Sequence, residues 1–226
     1  MLIYLLNGDL RLAVAWAFMV ILAISVHEMA HAWMAYKRGD DTAAQMGRLT
    51  INPVVHFDPI GFLCVMFAPI GWGKPVPFNP YNLKDPKIDA MWIALAGPIS
   101  NIIQALVLAV IYHAIATDFA ISLLSRVEFG QALFDTTRLV CYVGVLLNLA
   151  LAFFNMLPFF PLDGEKVLIG LLPLQQAIKV EEFRTHSTQV LMAIIMIGFL
   201  LPGGLSPLMW YINMTATPIR ILLIGS

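Results

Sequence analysis

The chain has 226 residues, enough for a large soluble core, yet 60% of them are hydrophobic and 12% charged, about half the charged share of ordinary soluble domains. Such a composition cannot supply the polar surface of a soluble fold this long, and it points to a polytopic membrane protein. The net charge of −1 says nothing about partners; no nucleic-acid partner is expected of a polytopic membrane protein.

The first apolar run, residues 10–36, predicts a membrane-spanning helix ended at "KRGDD", where Gly39 supplies a stop after two cations. Arg11 ahead of the run resembles the start of a signal peptide, but the run outlasts any such segment and carries polar residues of its own, so cleavage is not expected. Those residues are the HEMAH of "ISVHEMAHAW". His27 and His31, at i and i+4, project from one helical face about one turn apart and can share a metal ion. Glu28 can reach a water at such a metal without ligating it, as in H-E-x-x-H hydrolases. A chance pentapeptide or a packed histidine pair is the alternative. Ionisable residues in hydrocarbon cost on the order of 3 kcal/mol each and mark function by default, which favours the site.

Residues 46–86 are rich in proline and glycine, with an apolar patch at 62–70 too short to cross a bilayer. A re-entrant loop or short strands between spans 1 and 2 would satisfy its backbone at membrane depth. His56 and Asp58 lie in this segment. It can fold over the site and offer the imidazole as a transition-state donor; a capped turn beside Pro59 is the competing reading.

A second span is expected at about 88–116 and a third at about 139–157. Within the second, Asn101 is read as hydrogen-bonding a neighbouring helix. Just past the third, Pro158 and Pro161 stop the helix and Gly164 permits a tight turn at Asp163, a third oxygen or nitrogen ligand of the kind zinc requires. An ordinary Asp-Gly turn is the alternative there. Two weaker spans follow, at about 187–201 and 207–224, broken by or adjoining proline and glycine. His113 and His186 are read as interfacial, and Cys64 and Cys141 as small buried hydrophobes. The whole forms one membrane domain, 1–226, with a core of about 10–170 and additional C-terminal spans at about 187–224.

Lys37, Arg38, Arg48, Lys74, Lys84 and Lys87 follow the first span, and Lys166, Lys179 and Arg184 the third, against Arg126 and Arg138 between spans two and three. The positive-inside rule then puts both basic groups in the cytoplasm and the N-terminus outside, and brings Asp163 to the side of His31.

These residues together resemble the site-2 protease family of intramembrane zinc metalloproteases (peptidase M50). The resemblance rests on HEMAH at 27–31, NMLPFFPLDG at 155–164 in place of N-x-x-P-x-P-x-L-D-G, "GRLTINPVVHFDPIG" at 47–61, "GWGKPVPFNP" at 71–80 and "LAGPISN" at 95–101, in the manner of the compact subgroup without PDZ or CBS domains. It implies an all-α membrane protein with a three-helix catalytic core plus one or two further spans. It also implies one zinc ion per chain bound by His27, His31 and Asp163, with Glu28 as general base. Asn155 takes the position of an asparagine that steadies the substrate backbone or oxyanion. Phe160 stands where the family often has proline, so a looser turn before Asp163 is expected. The implied partners are the lipid bilayer and a membrane-protein or membrane-peptide substrate, in a prokaryotic cell membrane with the active site towards the cytoplasm. Rival functions are a membrane-embedded zinc hydrolase of lipids or amides, a zinc transporter, and a metal-bound scaffold without turnover.

Overall fold

The computed structural model describes residues 8–56, 58–61, 73–200 and 206–225. The described residues form helices and connecting turns, with no strand among them. The apolar patch at 62–70 and Cys64, and with them the re-entrant loop or strands expected there, lie outside the described residues.

Helix α1 spans Leu10–Arg38. It starts where the Asp9 carboxylate accepts the Leu12 backbone N–H at 3.0 Å, and it ends at Gly39, whose φ of 107° only glycine adopts without strain. Lys37 and Arg38 sit in the last turn, where the helix dipole favours cations. The short helices α2 (Thr42–Gln45) and α3 (Pro53–His56) follow, then a 3₁₀ turn at Pro80–Asn82. Helix α4 is Pro86–Ile115, entered through Asp85 as cap and Pro86 as its first residue. Helix α5 is Asp118–Leu124 and α6 is Gly130–Asn155. The latter begins well before the expected 139, because its first two turns carry polar residues that an apolar count passes over. Helices α7 (Asp163–Leu171), α8 (Leu174–Glu182), α9 (Arg184–Leu200) and α10 (Pro207–Ile224) complete the chain.

Three of these, α1, α4 and α6, are long and apolar enough to cross a membrane. The two C-terminal segments expected as weaker spans are the helices α9 and α10, shorter than these three. The distribution of polarity agrees with an integral membrane protein. Leu10, Val14 and Phe18, at i, i+4 and i+8 of α1, point outward, as do Ile103, Val107 and Val110 of α4, whereas His27, His31, Asn101 and Asn148 are buried.

The three long helices pack on one another, with α4 against both partners. Their shared faces are rich in small residues: Ala15 and Ala23 on α1, Gly97 and Ala105 on α4, Gly144 and Ala152 on α6. Small side chains let helix backbones approach closely where lipid supplies no hydrophobic drive for association. Helix α10 closes the far side of α4 and α6 through Ala216 and Ile224 against Ala105, Ala109, Val145 and Leu149. Buried Cys141 is such a small hydrophobe within α6. His113 donates from Nε2 to the Leu223 carbonyl, and His186 stacks on Phe183.

The loop after α1 is organised by Asp40, which is fully buried. Its carboxylate accepts from the Thr42 hydroxyl and backbone and, from the segment before α4, from the Asn79 backbone and the Asn82 amide. Burial works to raise this carboxyl, but those donors hold it below its ordinary range.

Candidate metal centre

Helix α1 delivers His27 and His31 to one face, as their spacing requires, and both rings are buried. Their Nε2 atoms face each other at 3.0 Å. Asp163, the first residue of α7, places Oδ2 3.2 Å from Nε2 of His27 and 3.3 Å from Nε2 of His31. These three residues are the one group of metal-binding side chains gathered among the described residues.

Each remaining ring nitrogen has a partner. Nδ1–H of His31 donates to the Ile93 carbonyl of α4 at 2.7 Å, which leaves its Nε2 as a bare lone pair. Nδ1 of His27 lies 2.6 Å from Oδ1 of Asn101. Metal-binding histidines regularly donate their second N–H in this way. The amide of Asn101 thus does bridge to neighbouring helices, as expected, and one of its partners is His27 of the trio.

The trio passes a test of fit to a metal cation. Oδ2 of Asp163 is buried with no hydrogen-bond partner among the described residues, and electron-rich atoms this close repel unless positive charge lies among them. Nitrogen and oxygen ligands about 2.0–2.1 Å from a tetrahedral zinc lie about 3.3 Å from one another, which matches the 3.0, 3.2 and 3.3 Å edges found here.

The approach of α4 to the trio depends on Gly97. A Cβ added there would lie 2.5 Å from Cε1 of His27 and from Cε1 and Nε2 of His31. Gly164 has a comparable role that differs from the tight turn expected of it. It is not among the glycines of positive φ, and an added Cβ would collide with the carbonyl oxygens of Met156 and Leu157. Close backbone approach is what excludes a side chain.

The turn before Asp163 is also tied down rather than loose. The backbone N–H of Phe160 donates to the Ser187 hydroxyl at 2.9 Å, which a proline at this position could not do. Glu165, one turn into α7 and buried, pairs with Arg184 of α9 through Nε at 2.7 Å and Nη2 at 3.2 Å. Arg184 entered the sequence analysis only as a loop cation, and Glu165 not at all.

Glu28 is half-buried on α1, one residue from His27 and outside the trio, where a base can act without ligating. A Cβ added to Gly73 would lie 3.5 Å from its Oε1 and 3.2 Å from the His56 carbonyl, so the proline-rich segment does come up against the site. The His56 ring is buried and not part of the trio. Its Nε2–H donates to the Thr50 carbonyl at 2.7 Å, leaving an unpartnered Nδ1 that in the neutral ring can only accept. Asp58 caps its turn, accepting from the Gly61 N–H at 2.7 Å. Asn155 closes α6, with its amide N–H donated to the Leu151 carbonyl at 3.0 Å and its oxygen free of any partner among the described contacts.

Sequence reasoning did not reach Asn148 of α6, whose Oδ1 accepts from the Asn101 amide at 2.8 Å. A lone amide in an apolar helix was its signal.

A family model described as Peptidase family M50 matches residues 15–198. A protein of Bacillus subtilis (strain 168) named "Putative zinc metalloprotease YwhC" is 38% identical over 157 residues, which cover 68% of this chain and 67% of the relative. No solved structure matches the chain.

Proposed function

This chain belongs to peptidase family M50, and from that premise we propose that it is a zinc-dependent endopeptidase that hydrolyses peptide bonds within or beside transmembrane segments of membrane-protein substrates. The observation that carries the reading is the buried, unpartnered Oδ2 of Asp163 set between the two Nε2 atoms at the spacing of tetrahedral zinc ligands.

Zinc held by His27, His31 and Asp163 would polarise the scissile carbonyl and acidify the attacking water. Glu28 takes the proton from that water on its carboxylate and later returns it to the leaving amine, as a general base must. Asn155 offers its free amide oxygen to a substrate backbone N–H as the chain is held for attack. His56 donates to a developing oxyanion only as the imidazolium, since the neutral ring keeps its proton on Nε2. The basic loops support a centre that faces the cytoplasm, with the loop between α1 and α4 as its entrance or lid.

The placement of Glu28 favours hydrolysis over zinc transport. A transporter has no use for a base beside the ligands, and would string ligands along a path rather than converge them on one point.

The test is the purified protein with membrane-spanning peptides, with products read by mass spectrometry and bound zinc by elemental analysis. Glu28→Gln is expected to keep zinc and lose cleavage, while His27→Ala, His31→Ala and Asp163→Ala lose both. A folded Asp163→Ala protein holding zinc with undiminished affinity would remove the third ligand. Products from lipid or small amide substrates, with peptides untouched, would replace the reaction class.

A further inference from the structure

We propose that Asn148, acting through Asn101, dictates which nitrogen of His27 carries the proton and so presets that imidazole to receive metal. The proposal rests on the zinc-binding reading above and adds two positioning residues to it.

The chain of logic starts at a group whose polarity is fixed. A backbone carbonyl only accepts, so the Asn148 amide must turn its NH₂ to the Gly144 carbonyl, where Nδ2 lies at 2.9 Å. Its oxygen then faces α4, and Nδ2 of Asn101 lies 2.8 Å from it. The same Nδ2 lies 3.4 Å from a second fixed acceptor, the Ala23 carbonyl of α1. With its NH₂ thus committed, Asn101 has only its oxygen for His27, and Nδ1 of that ring must bear the hydrogen it donates across 2.6 Å. The lone pair is thereby left on Nε2, the atom that faces Asp163 and His31.

The opposite arrangement is penalised at every link. Turning Asn101 over would set its oxygen against the Asn148 oxygen and the Ala23 carbonyl, and its NH₂ against Nδ1 of His27, driving the ring proton to Nε2 where it blocks the metal. Asn101 and Asn148 are both completely buried, so water cannot relieve those contacts.

The two histidines differ in this respect. His31 takes its instruction directly from the Ile93 carbonyl, which no substitution removes. His27 takes it through two side chains spanning three helices. His31 is therefore an internal control.

Two buried asparagines can also serve only as glue between helices, and the experiment separates the two roles on the full-length protein in detergent. Ring ¹⁵N spectra of histidine-labelled, metal-free protein report the tautomer, a chromophoric chelator competed against the protein reports the zinc Kd, and thermal unfolding of the metal-free protein reports glue. Wild type is expected to carry the His27 proton on Nδ1. Asn148→Leu should give a mixture of tautomers at His27 but not at His31, with zinc bound about 10-fold more weakly. The pair Asn101→Leu/Asn148→Leu leaves no amide unpaired but strips the buried His27 Nδ1 of its acceptor, so the metal-free Tm should fall no further than with Asn101→Leu alone, while zinc affinity falls about 10- to 100-fold. Asn148→Asp, protonated in this dry site, can still donate to Gly144 and accept from Asn101, and should restore both the tautomer and the affinity.

An Asn148→Leu protein with His27 still protonated on Nδ1 and zinc affinity within twofold of wild type would overturn the proposal. So would a wild-type spectrum with the proton on Nε2, which needs no variant to fold. Wild-type protein with the Nδ1 proton in place but no affinity for zinc would instead overturn the metal reading beneath it.

Discussion

Phe160 and Ser187 are joined by a hydrogen bond of 2.9 Å from the backbone N–H of the first to the hydroxyl of the second, so that helix α9 holds the turn on which Asp163 is carried. Thr188 adds a hydroxyl to the Phe160 carbonyl at 3.3 Å, and the Arg184 guanidinium lies 4.9 Å from the centre of the Phe160 ring. Arg184 also grips Glu165, two residues beyond Asp163. Helix α9, which offered no motif in the sequence, thus belongs to the scaffold of the candidate metal centre.

Breaking this brace is expected to act on the ligand from a distance. Ser187→Ala should weaken zinc binding several-fold. Arg184→Met should lower stability by about 2–3 kcal/mol, less than the loss for a wholly buried pair because Arg184 is partly exposed while Glu165 is not. Glu165→Gln combined with Arg184→Met should recover part of that loss, since no buried charge is then left alone. Thermal unfolding and zinc competition measure both; equal stability of the Arg184→Met and wild-type proteins would detach α9 from the centre.

Gly97→Ala introduces the smallest possible side chain at the point where α4 meets both imidazoles. A Cβ 2.5 Å from three ring atoms forces either the rings or the helices apart. Overpacking of this kind costs about 1–3 kcal/mol, so the protein should fold, but with zinc affinity and peptide cleavage both reduced more than 10-fold. Unchanged zinc binding would mean that α4 approaches the histidines less closely than described.

The parts of this centre that the sequence disclosed are those set by local periodicity. HEMAH needs only the 3.6-residue turn of one helix to put both imidazoles on one face, and the Pro-rich stop before Asp163 is equally local. What stayed hidden depends on the register of one helix against another. Gly97 matters because of what lies opposite it, the Ile93 carbonyl carries no side-chain signature at all, and Asn148 is one amide in an apolar helix until Asn101 is placed beside it. Helices α7 and α8 were missed for a different reason. They are short and amphipathic, and the hydropathy that reveals a span passes over them.

Asp40 predicts a pH dependence outside the membrane-spanning helices. Its carboxyl is held below its ordinary value of 3.8 by donors from both ends of the loop. A group depressed in the folded state stabilises above its unfolded pKa and loses that contribution as pH falls through the folded one. Asp40→Asn should therefore cost about 2 kcal/mol at neutral pH, with the gap to wild type closing below roughly pH 4. Unfolding temperatures taken as a function of pH provide the comparison, and a gap independent of pH would assign the effect to shape rather than charge.

The convergence of His27, His31 and Asp163 requires the C-terminal end of α1 and the start of α7 to lie on one side of the membrane. A single cysteine placed after Lys37 or near Lys166 should react with a membrane-impermeant reagent from the cytoplasmic face, and one near Glu128 from the other. Reaction of the Lys37 and Lys166 positions from opposite faces would contradict the trio itself. Reaction of both from outside would invert the orientation and leave the trio intact.

A substrate that arrives as an intact transmembrane helix presents no free backbone, because its carbonyls are held in i to i−4 hydrogen bonds. Unwinding must precede attack. Glycine, asparagine or proline near the scissile bond should therefore raise the cleavage rate, since each weakens the helix by about 0.5–3 kcal/mol relative to alanine, and leucine or alanine replacements should lower it. Asn155 stands at the end of α6, its amide oxygen without a partner among the described residues, and on the proposed reading it takes the N–H that unwinding frees. Asn155→Ala should depress turnover about 10-fold with zinc retained, and the deficit should be larger for helix-stable substrates than for those already broken by glycine. Mass-spectrometric rates on a matched peptide series, at equal occupancy, measure this. A rate indifferent to helix-breaking residues would place cleavage on a segment already extended at the membrane surface.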